Sequence, residues 1–144
     1  MREKSCGTVP FTIKDGNVFY LLIQAKDDGY CGFPKGHVEN GETEQATAYR
    51  ETWEETSVKP RIISEFRRTV QYKLDNGNIK TVVYFLGDFT GQTPRHNAGF
   101  EYSNYLILPF EEAHRALTFD NSKKILRHAD AYLKEHVLHK KMAE

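Results

Sequence analysis

The chain has 144 residues, and 20 Lys and Arg residues balance 20 Asp and Glu residues, so its formal net charge at pH 7 is zero. Because a neutral chain exerts no overall attraction on polyanions or anionic lipids, neither DNA nor a membrane is expected as a partner. The absence of an apolar signal segment, of a membrane-spanning run and of zinc-type or disulfide-type cysteine spacing favours a cytoplasmic protein.

The first half of the chain predicts a β-hairpin followed by a helix. Two β-rich runs, 6–14 and 17–25, flank Asp15 and Gly16, a pair typical of a tight hairpin turn. A loop that begins at Asp27 then leads to a charged helical stretch. We therefore expect the hairpin to be joined to this helix through a polar loop.

The second half predicts another pair of strands, then a short strand and two helices. Gly77 marks the turn between strands 61–74 and 79–89. The remaining elements are a polar loop at 91–99, a strand at 105–108, and helices at 110–117 and 122–137. Because no linker or repeat interrupts the chain, residues 1–144 are expected to form a single domain, an α/β/α sandwich with helices on both sides of a mixed sheet.

The predicted helix carries three glutamates on one face. Glu51, Glu54 and Glu55 are three or four positions apart, so their carboxylates converge and repel one another. A hard divalent cation would relieve this repulsion, because such ions take oxygen ligands and tolerate an incomplete protein cage. We therefore expect Mg²⁺ as a cofactor, with Mn²⁺ as a possible substitute.

The opposite side of this helix is expected to pack on the sheet. Ala46, Tyr49 and Trp53 recur at helical spacing and point away from the glutamates. The helix would then present an apolar face to the sheet and an acidic face to a cleft.

The segment 36–58 resembles the signature of the Nudix hydrolases. The positions in register with that signature are Gly36, Glu42, Arg50, Glu51, Glu54, Glu55 and Val58. Thr52 stands where the family usually has a bulky aliphatic residue, and its hydroxyl can bond back to a helix carbonyl. Ser57 stands where the family usually has Gly, at a cost of about 1 kcal/mol if the helix ends there in a left-handed conformation. The resemblance implies a Nudix-type α/β/α sandwich with a central mixed sheet and the motif as loop–helix–loop.

The resemblance also implies metal-dependent hydrolysis of a phosphoanhydride. Metal ions held by Glu51, Glu54 and Glu55 would bridge phosphate oxygens and lower the pKa of a bound water. The backbone carbonyl of Gly36 would be a further ligand, and Glu54 and Glu55 the firmest side-chain ligands. The general base would be either Glu51 or Glu101. Glu101 lies in the loop before the last strand and is also a candidate metal ligand.

Three arginines have two interpretations each. Arg50 is a catalytic-site residue if its guanidinium holds Glu51 or Glu42 in place, but a surface ion pair is an equally good reading. Arg67 and Arg68 could line a phosphate groove or lie on an exposed sheet face.

The substrate prediction rests on a second resemblance. The Phe-Pro-Lys-Gly-His stretch that contains Lys35 and His37 resembles one in the asymmetrical diadenosine tetraphosphate hydrolases, as does the spacing of Lys80 and Tyr84. Residues four apart on a strand share a face, so Lys80 would contact phosphate while Tyr84 stacks on adenine, worth about 1–3 kcal/mol per base. Phe119 would form a second wall of the site. For both aromatic residues, ordinary core packing is the simpler alternative.

The predicted function is therefore metal-dependent hydrolysis of a nucleoside polyphosphate. The favoured substrate is diadenosine tetraphosphate, which would be cleaved to ATP and AMP, and the favoured oligomeric state is a monomer. The alternatives are a house-cleaning nucleoside triphosphate pyrophosphohydrolase, an RNA 5′-end pyrophosphohydrolase and a non-catalytic nucleotide sensor. A sensor has no need of the intact glutamates, which argues against that alternative.

Overall fold

The computed structural model describes residues 2–95 and 103–138. The strands are β1 (Arg2–Lys14), β2 (Asn17–Ala25), β3 (Cys31–Gly32), β4 (Lys35–His37), β5 (Arg61–Lys73), β6 (Ile79–Asp88) and β7 (Ser103–Leu108). The helices are α1 (Glu44–Thr56), α2 (Phe110–Ala116) and α3 (Asp120–Leu133), and a π-helical turn (Lys134–Leu138) follows α3. Within the described residues, no helix has both the length and the apolar character needed to cross a bilayer.

The strands form one mixed sheet organised around β1. The order is β3-β2-β1-β6-β5, with β4 also paired to β1 and β7 to β2. Along one edge, β1 pairs in antiparallel fashion with β4 near its start and with β2 near its end, and along the other edge it runs parallel to β6. The predicted turn lies between β1 and β2, where Asp15 and Gly16 have φ values of 52° and 78°. Positive φ at both central residues suits a tight hairpin.

Helices cover both faces of this sheet. Ala48 of α1 belongs to a buried cluster with Cys6, Val83 and Phe85 on one face. Because side chains alternate along a strand, the neighbouring residues of β1 and β6 point to the other face, where they form the main core with α2 and α3. This core includes Val9, Phe11, Val82, Leu86, Ala113, Ile125, Leu126 and Leu133. The predicted mixed sheet between helical layers is confirmed.

A buried polar contact ties the first hairpin to the last helix. The hydroxyl of Tyr20 on β2 donates to Asp130 of α3 at 2.6 Å. Lys134 pairs with the same carboxylate at 2.8 Å, so the Asp130 charge is balanced as well as hydrogen-bonded.

Several element boundaries differ from the prediction. The first strand begins at Arg2 rather than residue 6, because its polar start is hydrogen-bonded to both β4 and β6. The last helix begins at Asp120 and ends at Leu133, and the short strands β3 and β4 had no predicted counterpart. These segments owe their conformation to partners distant in sequence rather than to their own composition.

The predicted packing of α1 is wrong. Ala46 is exposed, and Tyr49 and Trp53 are 39% and 43% exposed. The face that meets the sheet instead carries small side chains, namely Thr47, Ala48, Thr52 and Thr56. Small residues allow the helix backbone to approach the strands closely, whereas two large aromatic rings would hold it away.

The hydroxyl groups on this buried face have partners. Thr52 donates to the Ala48 carbonyl at 2.8 Å, and its oxygen lies 2.7 Å from the hydroxyl of Thr8 on β1. Ser57 ends the helix with φ 64°, and its backbone N–H donates to the Trp53 carbonyl at 2.8 Å. The structure thus accommodates both departures from the usual motif, Thr52 through hydrogen bonds and Ser57 through a left-handed cap.

Candidate active site

Arg50 lies at the centre of the acidic face of α1. Its Nε and Nη2 atoms donate to the two oxygens of Glu42 at 2.7 and 3.0 Å. Its Nη1 atom donates to Glu51 at 2.9 Å and to Glu54 at 3.2 Å, and Nη2 also donates to the His37 carbonyl at 3.2 Å. The contact between Glu42 and Arg50 raises the pKa of the guanidinium and lowers the pKa of Glu42 to about 2. One guanidinium therefore organises three carboxylates.

The carboxyl group of Glu55 is desolvated and only partly hydrogen-bonded. It accepts a hydrogen bond from the backbone N–H of Lys35, whereas its buried Oε2 atom has no partner within the described residues. Burial, with a contribution from the Glu51 carboxylate, raises the pKa of Glu55 to about 8, and burial also raises the pKa of Glu51. A buried carboxylate oxygen without a donor is the type of group that a bound cation stabilises.

The backbone of β4 lies directly against one of these carboxylates. A Cβ atom added to Gly36 would overlap the carboxyl group of Glu51. Only glycine leaves room for this approach, so Gly36 has a steric reason to occupy its position in the motif.

The donor chemistry of this cluster fits a hard divalent cation. Glu51, Glu54 and Glu55 offer carboxylate oxygens, and one buried oxygen of Glu55 is open. Among the described residues, however, no three His, Cys, Asp or Glu side chains already converge on one point, since Glu51 and Glu54 both contact Arg50. Glu101, the predicted base and ligand from the loop, lies outside the described residues, so its role stays a prediction.

A second polar cluster, built from residues of β1, β4 and β6, surrounds the side chain of Lys80. Lys80 of β6 is only 7% exposed, and its ammonium nitrogen lies 2.9 Å from Nε2 of His37. Burial and the charge of Lys35 lower the pKa of Lys80. The His37 ring also lies 3.5 Å from Glu3, whose other oxygen accepts from Asn78 at 3.0 Å. The buried ammonium is thus held between β4 and β6.

A cavity of about 380 Å³ opens between the sheet and the start of α3. It is lined by Lys35, Val70, Tyr72, Val82, Tyr84, Phe119, Asn121 and Ser122. Tyr84 is only 4% exposed and packs edge-to-face on Phe33 with 6.0 Å between ring centroids, so little of its ring is free for stacking. Phe119 is 52% exposed, so its ring is free to form a wall of the cavity. Tyr84 therefore contributes to the floor of the cavity, and the proposed stacking role suits Phe119 better.

Two further aromatic residues near the cavity, Tyr72 and Tyr30, were not predicted from the sequence. Tyr72 lines the cavity with 39% of its surface exposed, and it lies directly opposite Lys80 in the pairing of β5 with β6. Tyr30 packs edge-to-face on Phe119 with 5.1 Å between ring centroids. The turn at Gly77 could have located Tyr72, because the turn sets which residue of β5 faces Lys80.

Neither Arg67 nor Arg68 lines this cavity. Arg67 donates to both oxygens of Glu44 at 2.8 Å, and Lys4 pairs with the same carboxylate, so Arg67 joins β5 to α1 on the other face of the sheet. The guanidinium of Arg68 lies 4.5 Å from the centre of the Phe66 ring. Arg67 is exposed and ion-paired with α1, so the structure supports the exposed sheet face rather than a phosphate contact.

Comparison with known proteins decides the family. A NUDIX domain profile matches residues 1–129. The chain belongs to the NUDIX family. Its relatives include the asymmetrical bis(5′-nucleosyl)-tetraphosphatase of Mus musculus, which is 32% identical over 143 residues, covering 92% of this chain and 97% of that protein. The enzyme of the same name from Rattus norvegicus is 29% identical over the same length and coverage.

Solved structures of other proteins share the architecture described above. A binary complex of the Caenorhabditis elegans Ap4A hydrolase superposes with a TM-score of 0.83 at 28% identity, over 92% of this chain and 98% of that one. The dihydroneopterin triphosphate pyrophosphohydrolase of Escherichia coli, at 19% identity and a TM-score of 0.72, covers 87% of this chain and 92% of its own, and shares the fold alone. The predicted Nudix family and sandwich are confirmed, and Nudix hydrolases generally use a divalent metal ion.

Proposed function

We propose that this Nudix hydrolase, a single domain over residues 1–144, hydrolyses diadenosine tetraphosphate to ATP and AMP in a Mg²⁺-dependent reaction. One observation carries the proposal: Lys35 joins the acidic cluster to the cavity. Its backbone N–H donates to the carboxylate of Glu55, and its side chain lines the cavity bounded by Tyr72 and Phe119. A polyphosphate bound along Lys35 would have one end at the carboxylates and a base in the cavity. The chain is 32% and 29% identical to two asymmetrical tetraphosphatases over 97% of their length, and this similarity supports the same substrate.

Glu51, Glu54 and Glu55 would hold the Mg²⁺, for which Mn²⁺ is a possible substitute. The carbonyl of Gly36 on the adjacent strand would be a further ligand, and Glu101 remains a candidate ligand from the loop. A bound divalent ion supplies positive charge that neutralises phosphate oxygens and favours ionisation of the attacking water. The open Oε2 atom of Glu55 and its desolvation support this assignment.

Arg50 would act as an organiser of the carboxylates rather than as a substrate contact. Its bidentate contact with Glu42 anchors the guanidinium, whose Nη1 atom then donates to Glu51 and Glu54. Because Glu51 and Glu54 contact Arg50 rather than converging on one point, both carboxylates would have to turn towards a cation when it binds. Glu51 and Glu101 remain the two candidates for the base that takes the proton of water.

The cationic cluster would bind the phosphate chain. Lys35 lines the cavity, and Lys80 lies opposite Tyr72, which also lines it. His37 fixes the position of Lys80 through the 2.9 Å contact. Burial and then the charge of Lys35 lower the pKa of Lys80, and a phosphate between the two ammonium groups would relieve their repulsion. Adenine would then lie between Tyr72 and Phe119, with Tyr84 beneath it.

The test is a substrate panel with purified protein, Mg²⁺, diadenosine tetraphosphate, nucleoside triphosphates, ADP-ribose and a 5′-triphosphorylated RNA, with products separated by chromatography. We expect ATP and AMP from the dinucleotide, little turnover of the others, and no reaction when a chelator replaces Mg²⁺. Preference for a triphosphate or for RNA would keep the reaction and overturn the substrate. Binding of nucleotide without turnover of any compound would overturn the enzymatic proposal.

A further inference from the structure

The last turn of α1 is an unfavourable place for two carboxylates. Glu54 and Glu55 lie at the C-terminal end of the helix, where the backbone dipole is already negative, and the last turn contains no basic residue. The terminal carbonyl groups of a helix also lack partners within the helix. Donors from outside α1 are therefore needed to hold this turn in place.

Tyr105 of β7 supplies one of these donors. Its hydroxyl lies 2.6 Å from the backbone carbonyl oxygen of Glu55 and 2.9 Å from that of Arg95. Since a phenol has one proton, it donates to one carbonyl at a time, and the shorter contact favours Glu55. The backbone N–H of Arg95 donates to the next carbonyl, that of Thr56, at 2.9 Å.

The position of the tyrosine ring is itself fixed by packing. Tyr105 packs against a buried cluster of Leu21, Val58 and Phe89, and its strand is paired with β2. The hydroxyl is thus presented to α1 from a rigid sheet edge rather than from a loop.

The buried carboxyl group of Glu55 has few polar contacts among the described residues. In the described part of the chain, its Oε2 atom has no partner, and the carboxyl group accepts from the Lys35 backbone N–H. Its position therefore depends strongly on where the Glu55 backbone is held. The hydroxyl of Tyr105 holds that backbone at the carbonyl.

We propose that Tyr105 is a positioning residue that sets the place of the Glu55 carboxylate for cation binding. The inference rests on the proposed role of Glu55 as a metal ligand. Residues that orient metal ligands typically alter metal affinity by about 10- to 100-fold when they are changed. Tyr105 acts on the ligand backbone rather than on its carboxylate, so we expect the lower end of that range.

Tyr105→Phe removes the hydroxyl and keeps the ring. We expect the dissociation constant for Mn²⁺, measured without nucleotide by electron paramagnetic resonance, to rise about tenfold. The kcat should fall at limiting Mn²⁺ and recover at high Mn²⁺, with the KM for nucleotide unchanged. A tyrosine that only stabilises the fold would lower the melting temperature without shifting Mn²⁺ affinity.

Tyr20→Phe is the matched control, because it also removes a hydroxyl with a 2.6 Å contact, in this case to Asp130. It should lower thermal stability and leave Mn²⁺ affinity at the wild-type value. Adding Tyr105→Phe to Glu55→Gln should cause little further loss of Mn²⁺ affinity, because the two changes act on one ligand.

Wild-type Mn²⁺ affinity in Tyr105→Phe, or an equal loss in Tyr20→Phe, would overturn the positioning role alone. Failure of Tyr105→Phe to fold while Tyr20→Phe folds would assign the hydroxyl to stability and also overturn it. A wild-type protein that binds no Mn²⁺ would instead overturn the metal role of Glu55, and the inference would fall with it.

Discussion

The carboxyl group of Glu51 occupies the space in which a Cβ atom of residue 36 would lie. Gly36→Ala should therefore displace either β4 or the carboxylate. A displacement of about 1 Å at a catalytic group can lower kcat about 100-fold. We expect a loss of this order in steady-state assays, with the far-ultraviolet circular dichroism spectrum unchanged. Gly32→Ala on β3, where no heavy atom lies within 4 Å of the added Cβ, should retain most of the activity.

Glu54→Gln should separate catalysis from folding. The amide keeps the shape of the side chain but removes a charge from the proposed metal cluster, so kcat should fall about 100-fold or more. The melting temperature should stay within a few degrees of the wild-type value, because like charges repel at this end of α1. Glu111→Gln, on the exposed side of α2, serves as the control. A mild effect on kcat would remove Glu54 from the metal ligands.

The aromatic walls can be tested with matched exposed tyrosines. Tyr72→Ala and Phe119→Ala should each raise the KM for diadenosine tetraphosphate by about 5- to 150-fold, the equivalent of about 1–3 kcal/mol of stacking. Tyr49→Ala is the control, because Tyr49 and Tyr72 are both 39% exposed but Tyr49 lies on the outer face of α1. If all three variants raise KM equally, the cavity does not bind the adenine base.

The ion pair between β5 and α1 should appear in the acid stability of the protein. The contact with Arg67, together with Lys4, lowers the pKa of Glu44 to about 2. An unfolded glutamate has a pKa of about 4.3, so this contribution is fully present above that pH and is lost as pH falls towards 2. Urea midpoints measured from pH 2 to 7 should therefore fall less steeply with acid in Glu44→Gln than in the wild-type protein. Parallel curves would contradict the assignment.

Local spacing was enough to predict the contacts of Arg50 with Glu42 and Glu51, whereas the convergence of three glutamates on one ion stays a prediction. Helical periodicity alone places Glu51, Glu54 and Glu55 on one side of α1, and Arg50 is close enough in sequence to reach them. The rotation of α1 on the sheet was not predictable in the same way. Periodicity treats Thr52 as polar and Trp53 as apolar, although the close approach of helix and sheet favours the smaller residue.

The cavity depends on relationships that no local pattern contains. Tyr72 faces Lys80 only because β5 and β6 pair in one register, and Phe119 reaches the cavity from the start of α3. The contact between Tyr20 and Asp130 spans 110 positions. The positions of such groups follow from the packing of the whole sheet, which the spacing of one motif does not specify.

The placement of β1 between β4 and β6 has a consequence for how the protein is made. Lys35 joins the sheet on one edge of β1 and Lys80 on the other, and the β1–β6 pairing extends to Asp88. A chain still emerging from the ribosome can pair β1 with β2 early, whereas the packing of α1 on Val83 and Phe85 and the proposed phosphate-binding cluster must wait until β6 is available. Contacts of such long range also slow folding. The packed position of the acidic helix and the proposed phosphate-binding cluster would therefore be completed together, when β6 joins the sheet.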